Sequence, residues 1–227
     1  MATRSPYALV LIGSGPGIGK SVAALFAAKR YNHVALVARR QQQLDIDRKA
    51  VEAAAPGVKV STFVTDVADS EQFKKVLRAV SAEGPKVETV YFNPAVIRPT
   101  SIEEETEDQM IYDFKITNVA LLHTVQWAMP NLVALAKSDA SAKPSFLVTG
   151  TWLSRDPYTP LFTLSLVKAA QRNLCQTLAE VLTPTGVHVG MVRVMGIVDP
   201  ASKETSPENI ASSAWKLYES KEFEIEV

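Results

Sequence analysis

The alternation of short, β-branched runs with longer amphipathic stretches constrains the fold more than any other feature of this sequence. The strand-like runs cover residues 7–13, 33–39, 58–66, 87–93, 145–150 and 187–195. The stretches with helical periodicity cover residues 19–30, 41–55, 70–82, 106–136, 160–182 and 207–220. Strands that alternate with helices are typical of βα units, so the pattern predicts a parallel sheet flanked by helices.

The composition of the first two strand-like runs indicates how the sheet is covered. "YALVLIG" (7–13) and "HVALVAR" (33–39) are nearly all apolar and do not alternate with polar residues. Such runs are typical of strands with helices on both faces. The closing "FEIEV" (223–227) could add an edge strand. We therefore predict an α/β fold with a doubly wound parallel sheet of about seven strands.

Length and charge narrow the class of protein further. The 227 residues fit one domain, and because no shift of composition divides them, residues 1–227 are predicted to form a single domain. The 24 basic and 24 acidic residues cancel, which argues against nucleic acid or a membrane as partner. Cys175 is the only cysteine and suits a reducing compartment. Without a secretory leader or a run of about 18 apolar residues, the protein is predicted to be soluble and cytoplasmic.

A glycine-rich segment links the first strand to the first helix. "LIGSGPGIGKS" places Gly13, Gly15, Gly17 and Gly19 at the point where that helix begins. Glycines at such a junction let the backbone approach a pyrophosphate bound at the helix N-terminus, as in Rossmann-type folds. A purely structural turn is the alternative, because turns use glycine for positive φ. The placement favours a dinucleotide site.

The end of the second strand indicates which dinucleotide would bind. In a Rossmann-type fold an acidic residue at this point suits a free ribose 2′-hydroxyl, whereas an arginine suits a 2′-phosphate. Here the sequence reads "VARRQQQ", with Arg39 and Arg40 in that place. Guanidinium groups match phosphate geometry, so the pair favours NADP(H) over NAD(H). The alternative is that both arginines belong to a solvated strand end.

Taken together, these motifs are similar to those of the short-chain dehydrogenase/reductase family over nearly the whole chain. The resemblance rests on the glycine-rich loop, on "TDVADSEQ" (65–72), on "FNPAV" (92–96) and on "KITNVALL" (115–122). It implies a cofactor site formed by Gly13, Ser14, Gly15, Gly17, Ile18, Gly19, Asp66, Val67, Asn93 and Ala95, in addition to the two arginines. Pro94 and Val96 depart from the family's Asn-Asn-Ala-Gly turn.

The resemblance also implies a set of reacting groups, one of which is missing. In the family a tyrosine four residues before a lysine donates the proton, a serine orients the substrate and a helix asparagine supports a water relay. Lys168 and Asn118 match the lysine and the asparagine, and Lys168 would also hold the nicotinamide ribose. The tyrosine position is Leu164 and the serine position is Thr151. Because leucine has no ionisable proton, general acid catalysis from position 164 is chemically unavailable.

Two residues could compensate in part. Thr151 keeps a hydroxyl that could orient a substrate oxygen, and Tyr158 lies in "GTWLSRDPYTP" (150–160), a loop that borders the substrate pocket in the family. Tyr158 is therefore a candidate proton donor, with a solvated turn around Pro157 as the alternative. Where the family has a proline and a threonine after the sixth strand, this chain has Met195 and Pro200. The short segment that follows predicts an open substrate pocket.

These observations leave two hypotheses. The first is an NADP(H)-dependent oxidoreductase that acts on a carbonyl/hydroxyl or imine small molecule with a nonstandard proton donor. The second is a non-redox relative, such as an isomerase, a cyclase or a nucleotide-binding regulatory protein, that keeps the cofactor site. Because the three histidines lack metal-ligand spacing, no metal is expected. The resemblance further implies a homodimer or a homotetramer.

Overall fold

A computed structural model of the protein describes residues 5–227, and it shows one seven-stranded sheet in which every pair of neighbours is parallel. The order of the strands across the sheet is β3-β2-β1-β4-β5-β6-β7. In chain order the strands are β1 (Ser5–Ile12), β2 (Tyr31–Ala38), β3 (Lys59–Val64), β4 (Val87–Phe92), β5 (Ser145–Thr151), β6 (His188–Val194) and β7 (Glu224–Glu226). The predicted Rossmann-type α/β fold is confirmed, including the edge strand from "FEIEV".

The helices follow the predicted alternation, with one difference. In chain order they are α1 (Ile18–Lys29), α2 (Gln41–Ala54), α3 (Ser70–Ala82), α4 (Glu107–Phe114), α5 (Ala120–Ser138), α6 (Phe162–Leu182) and α7 (Pro207–Ser220). The stretch 106–136, which the periodicity predicts as one helix, contains a π-helical turn over Lys115–Val119. No glycine or proline occurs in that turn, so nothing in its local sequence indicates the change.

Side chains that alternate along the strands lie in two apolar cores, one on each face of the sheet. Along β1, Leu9 and Leu11 lie in one core while Val10 and Ile12 lie in the other. The first core also holds buried residues of α1, α2 and α7, and the second holds buried residues of α3, α5 and α6. Helices thus cover both faces of the sheet, which explains why most positions of the inner strands are apolar.

The stretch Glu107–Ser138 is long and apolar enough, by length and composition alone, to cross a membrane. It lies against the sheet, however, and α5 buries Leu121, Val125 and Leu132 in the core of this fold. A core helix of a soluble protein passes the same test of composition.

The strand order reverses direction between β1 and β4, since the chain passes from β3 at one edge back to β4 in the middle. In open α/β sheets ligands bind beyond the carboxyl ends of the strands at such a switch point. Gly13 follows β1 and Asn93 follows β4. The backbone N–H of Asn93 donates to the Ile12 carbonyl at 2.9 Å. The fold therefore places both predicted motifs at this edge.

Candidate nucleotide-binding and active site

The glycine-rich loop contains two glycines required by packing and two that face open space. Gly13 has φ +85°, and a Cβ there would lie 2.8 Å from the Pro94 nitrogen. A Cβ on Gly19 would lie 2.6 Å from the Gly13 carbonyl oxygen. By contrast, Gly15 and Gly17 have nothing within 4 Å of such a Cβ. The start of the loop thus packs tightly against the segment after β4 and against Gly19 of α1, while its centre leaves room beside the N-terminus of α1.

Ser14 ties this loop to α2. Its hydroxyl donates to Asp47 Oδ2 at 2.6 Å, and Gln43 Nε2 donates to Asp47 Oδ1 at 2.7 Å. Asp47 is completely buried, so a carboxylate there needs both donors. Ser14 was predicted as a cofactor residue, and in the structure its hydroxyl is engaged with Asp47.

A cleft of about 290 Å³ opens beside the loop. Its walls contain the loops after β1, β2, β3 and β4, which meet at the switch point. Of the predicted cofactor residues, the cleft is lined by Gly13, Ser14, Gly15, Arg39, Arg40, Asp66, Val67, Asn93 and Ala95. Four others lie outside its lining, namely Gly17, Ile18, Gly19 and Lys168.

The two arginines lie at the outer end of the cleft, and their side chains differ in their contacts. Arg39 Nη1 donates to the Tyr112 hydroxyl at 3.3 Å, and that hydroxyl donates to Asp66 Oδ2 at 3.1 Å. Burial, and then the hydrogen bond to Asp66, raise the pKa of Tyr112, so its proton stays on the oxygen at neutral pH. The Arg40 side chain has no hydrogen bond or ion pair within residues 5–227 and is exposed.

Asn93 connects three of the central strands. Its Nδ2 donates to the Gly13 carbonyl at 3.0 Å, and its Oδ1 accepts from the Thr149 hydroxyl at 2.8 Å. The Thr149 hydroxyl also lies 3.0 Å from the Tyr91 hydroxyl. Burial raises the pKa of Tyr91 to about 12. Asn93 therefore stabilises the conformation of the glycine loop, through the Gly13 carbonyl, in addition to lining the cleft.

Leu164, at the position where the sequence resemblance implies a proton donor, lies in an apolar environment. Its side chain is 6% exposed and belongs to a cluster with Leu153 and Val167. Partly buried apolar residues that pack on this cluster are Ala95, Trp152 and Leu161. The contacts of Leu164 within this cluster are with hydrocarbon side chains, which favours an apolar group at this position.

Lys168 is fully buried one helical turn beyond Leu164. Its Nζ donates to the Thr149 carbonyl and to Gln171 Oε1, both at 2.8 Å. Burial lowers the pKa of Lys168 to about 8, while the nearby Cys175 raises it slightly. The ammonium group is thus still largely protonated at neutral pH, and it is held by two neutral acceptors rather than by a carboxylate.

Gln171 was not among the predicted site residues, and it links Lys168 to the π-helical turn that contains Asn118. While its Oε1 accepts from Lys168, its Nε2 donates to the Thr117 carbonyl at 3.0 Å, within the π-helical turn. Asn118 lies in the same turn, and its Nδ2 donates to the Val167 carbonyl of α6 at 3.1 Å. Gln171 is fully buried, as the structure shows, and nothing in the local sequence indicates this link.

The two proposed substrate residues have different surroundings. Thr151 ends β5, and its hydroxyl accepts from the Leu153 amide at 3.4 Å, a weak contact. Tyr158 is 48% exposed, its ring lies 6.1 Å from that of Trp152, and its hydroxyl has no partner among the described residues. The ring of Tyr158 therefore lies against the loop after β5, and its backbone amide donates to Ser165 Oγ of α6 at 3.2 Å. Among the described residues no contact joins Tyr158 to Lys168.

The segment between β6 and α7 leaves this side of the molecule open. Met195 and Ile197 are 43% and 87% exposed there. The Ile197 carbonyl accepts from the Thr205 hydroxyl at 2.7 Å, which closes the segment back on itself. Within the described range no group of three or more histidine, cysteine, aspartate or glutamate side chains could hold a metal ion.

Comparison with known proteins identifies similar chains. The family model described as short chain dehydrogenase matches residues 7–210. A very-long-chain 3-oxoacyl-CoA reductase from Mycosarcoma maydis is 26% identical over 203 residues, which are 88% of this chain and 56% of that protein. Similar reductases from two other fungi are matched over 57% and 58% of their length. This chain thus spans little more than half of these curated relatives.

Two solved structures show the same fold. A short-chain dehydrogenase from Rhodopseudomonas palustris has 21% identity, a TM-score of 0.82 and 98% coverage of both chains. The NADPH-bound short chain oxidoreductase from Pseudomonas aeruginosa PAO1, described as containing an atypical catalytic center, has 20% identity and a TM-score of 0.84. That match covers 99% of this chain and 96% of the other.

Proposed function

Because this chain belongs to the short-chain dehydrogenase family, we propose that it is an NADP(H)-dependent oxidoreductase that acts on a carbonyl/hydroxyl or imine small molecule with a nonstandard proton donor. One observation carries the proposal above all others. The cleft combines open space at Gly15, beside the N-terminus of α1, with the guanidinium groups of Arg39 and Arg40. Backbone amides at a helix N-terminus and paired guanidinium groups both favour phosphate.

The residues present fit a nicotinamide dinucleotide along the length of the cleft. The loop around Gly15 would receive the pyrophosphate, Asp66 and Val67 would edge the adenine, and Asn93 and Ala95 would border the inner end. A nicotinamide cofactor supplies or accepts a hydride when it is bound. Lys168 would contribute a buried positive charge near the inner ribose, and its two hydrogen bonds fix the position of its amine.

The proton must come from a group other than residue 164. The Tyr158 hydroxyl is the candidate on the protein, because it is unpaired in the described structure and lies in the loop after β5. Thr151 would orient the substrate oxygen. An iminium substrate would need no acid, since it already carries the positive charge, and the apolar walls around Leu164 would accept its hydrocarbon part.

A non-redox function is the second candidate, and the hydrogen bonds of Lys168 within the protein favour it. The Thr149 carbonyl and Gln171 take two of the three N–H donors of the Lys168 ammonium group, so the residue has a structural role even without a cofactor. With Leu164 beside it, the site could bind a nucleotide without the chemistry of the family. An isomerase, a cyclase or a nucleotide-binding regulatory protein would fit this arrangement.

The experiment that tests the proposal has two stages. Fluorescence titration with NADPH and NADH is expected to show tighter binding of NADPH, and loss of absorbance at the nicotinamide band then reports turnover with ketones, quinones and imines. Leu164→Tyr and Leu164→Phe form a matched pair, because both overfill the same apolar site and only one restores a hydroxyl. We expect carbonyl reduction to rise about 10²-fold or more in Leu164→Tyr relative to Leu164→Phe.

The possible results separate the two candidates. Binding of NADPH without turnover of any compound would favour the non-redox function. Absence of binding of either nucleotide would reject the cofactor site altogether. If wild-type turnover is found and Tyr158→Phe leaves it unchanged, Tyr158 is not the donor.

A further inference from the structure

Tyr112 lies at the mouth of the cleft and belongs to no motif of the sequence. It is on α4, one helical turn before Ile116, which lines the cleft. Its hydroxyl lies within hydrogen-bond distance of Arg39 and Asp66, two residues that line the cleft. The side chain of Tyr112 is 38% exposed, as expected at the rim.

The hydroxyl of Tyr112 joins the two walls of the cleft. It accepts a hydrogen bond from Arg39 Nη1, after β2, and donates one to Asp66 Oδ2, after β3. The other carboxylate oxygen of Asp66 accepts from the Ala68 amide at 2.9 Å, so Asp66 is fixed from both sides. Because Asp66 is fixed, the Tyr112 hydroxyl gives the Arg39 guanidinium an acceptor in a defined position, at 3.3 Å.

This hydrogen bond leaves most of the guanidinium free to bind an anion. A guanidinium has five N–H donors, and Tyr112 uses a donor on Nη1 only. An exposed arginine samples many rotamers, and ordering it on binding weakens affinity. A tyrosine that already orders the side chain removes part of that loss.

We propose that Tyr112 is a positioning residue for nucleotide selectivity: it holds Arg39 in place for the 2′-phosphate of NADPH. The proposal rests on the proposed function, because it requires a dinucleotide in the cleft. NADH lacks the 2′-phosphate, so its binding does not depend on the position of Arg39. Tyr112 therefore acts on the preference between the two nucleotides and not on binding in general.

The test is the ratio of dissociation constants of NADPH and NADH for the wild type and for Tyr112→Phe, measured by fluorescence titration of the full chain. The variant keeps the ring and removes only the hydroxyl. We expect NADPH to bind about 2- to 10-fold more weakly and NADH to bind as before. Equal weakening of both nucleotides would mean that the variant only disturbs α4, and unchanged affinity for both would mean that the hydroxyl has no part; either result overturns the proposal.

A double-variant cycle shows whether Tyr112 acts through Arg39. In an Arg39→Ala background, Tyr112→Phe is expected to cause no further loss of NADPH affinity. A further loss as large as in the wild type would overturn the proposal. Tyr7→Phe serves as the control, because it removes a phenolic hydroxyl bound to Asp139, a residue outside the cleft lining, and its ratio should equal that of the wild type.

The outcomes also separate this inference from the proposed function. A wild type that binds NADPH no more tightly than NADH contradicts the proposed cofactor and this inference together. A wild type that prefers NADPH, with a Tyr112→Phe variant of unchanged preference, contradicts only the role of Tyr112.

Discussion

At the scale of single residues, Lys168 is the least expected feature of the site. A buried ammonium group normally pairs with a carboxylate, but here its partners are a backbone carbonyl and the Gln171 amide. Its pKa of about 8 lies below the usual value of 10.5 because burial disfavours the charged form. The folded protein therefore loses this proton at a lower pH than the unfolded chain does.

The sign of the resulting pH dependence follows from that order. Between pH 8 and 10.5 the unfolded chain binds more protons at Lys168 than the folded protein does, so stability rises with pH in this window. We expect the free energy of unfolding to gain up to about 3 kcal/mol from this group across the window. Urea unfolding at pH 7.5 and at higher pH, with Lys168→Met for comparison, measures the gain.

The comparison variants make the assignment specific. Lys168→Met should lack the rise, whereas Lys137→Met, at an exposed position, should retain it. A rise of equal size in Lys168→Met would show that another group causes it.

The sequence predicted some of these residues and could not predict others. The spacing of Leu164 and Lys168 predicted that they share one helix, and both are buried on α6. Tyr112 and Gln171 were missed because their roles arise from contacts between elements far apart in the chain, such as Tyr112 with Asp66. A single sequence contains no local pattern for such a contact.

At the scale of elements, the glycine loop shows why glycines of one motif are not equivalent. Gly13→Ala would force a Cβ against the Pro94 nitrogen at a positive φ, so we expect the free energy of unfolding to fall by about 1–3 kcal/mol. Gly15→Ala meets no neighbour, so we expect no loss of stability and weaker nucleotide binding, since the added methyl occupies the cleft. Urea unfolding and NADPH titration of both variants check this.

The test compares the two variants in their free energy of unfolding and in their affinity for NADPH. If Gly15→Ala destabilises the protein as much as Gly13→Ala does, the loop conformation differs from the one described. Retention of full nucleotide affinity by Gly15→Ala would show that no ligand approaches the centre of the loop.

Element types were largely predictable, whereas the interruption between α4 and α5 was not. The strands and helices were predicted by apolar periodicity, and their ends differ from the prediction by only a few residues. The π-helical turn at Lys115–Val119 inserts a residue without any local signal. Such turns occur frequently at functional sites, and this one contains Asn118.

At the scale of the whole molecule, Glu224 on β7 joins three separate parts of the chain. It contacts Arg155, Arg172 and Arg193 at 2.6, 3.1 and 3.3 Å. Because Arg193 is 6% exposed and Glu224 is 12% exposed, loss of the carboxylate leaves the buried Arg193 guanidinium without its buried partner. We expect Glu224→Gln to lower the free energy of unfolding by about 2–4 kcal/mol, measured by urea unfolding.

Glu226 provides the matched control on the same strand. It also pairs with Arg193, but its side chain is 55% exposed. Glu226→Gln should therefore change the free energy of unfolding by less than about 1 kcal/mol. Equal effects of the two substitutions would show that burial does not govern this cluster.

The topology of the sheet was the most predictable property, since the number and order of βα units constrain it strongly. The formation of a homodimer or homotetramer and the cytoplasmic location stay predictions. Neither property is determined by the packing of the core, from which the fold was predicted.

The hydrogen bond from Ser14 to Asp47 has a consequence for how the cleft can change over time. Asp47 lies on α2, and Arg40 immediately precedes that helix. One rigid body thus carries the anchor of the glycine loop and a guanidinium at the far end. A rigid displacement of α2 would therefore move the glycine loop and Arg40 together. Such a displacement would change the affinity for nucleotides and the preference between them at the same time.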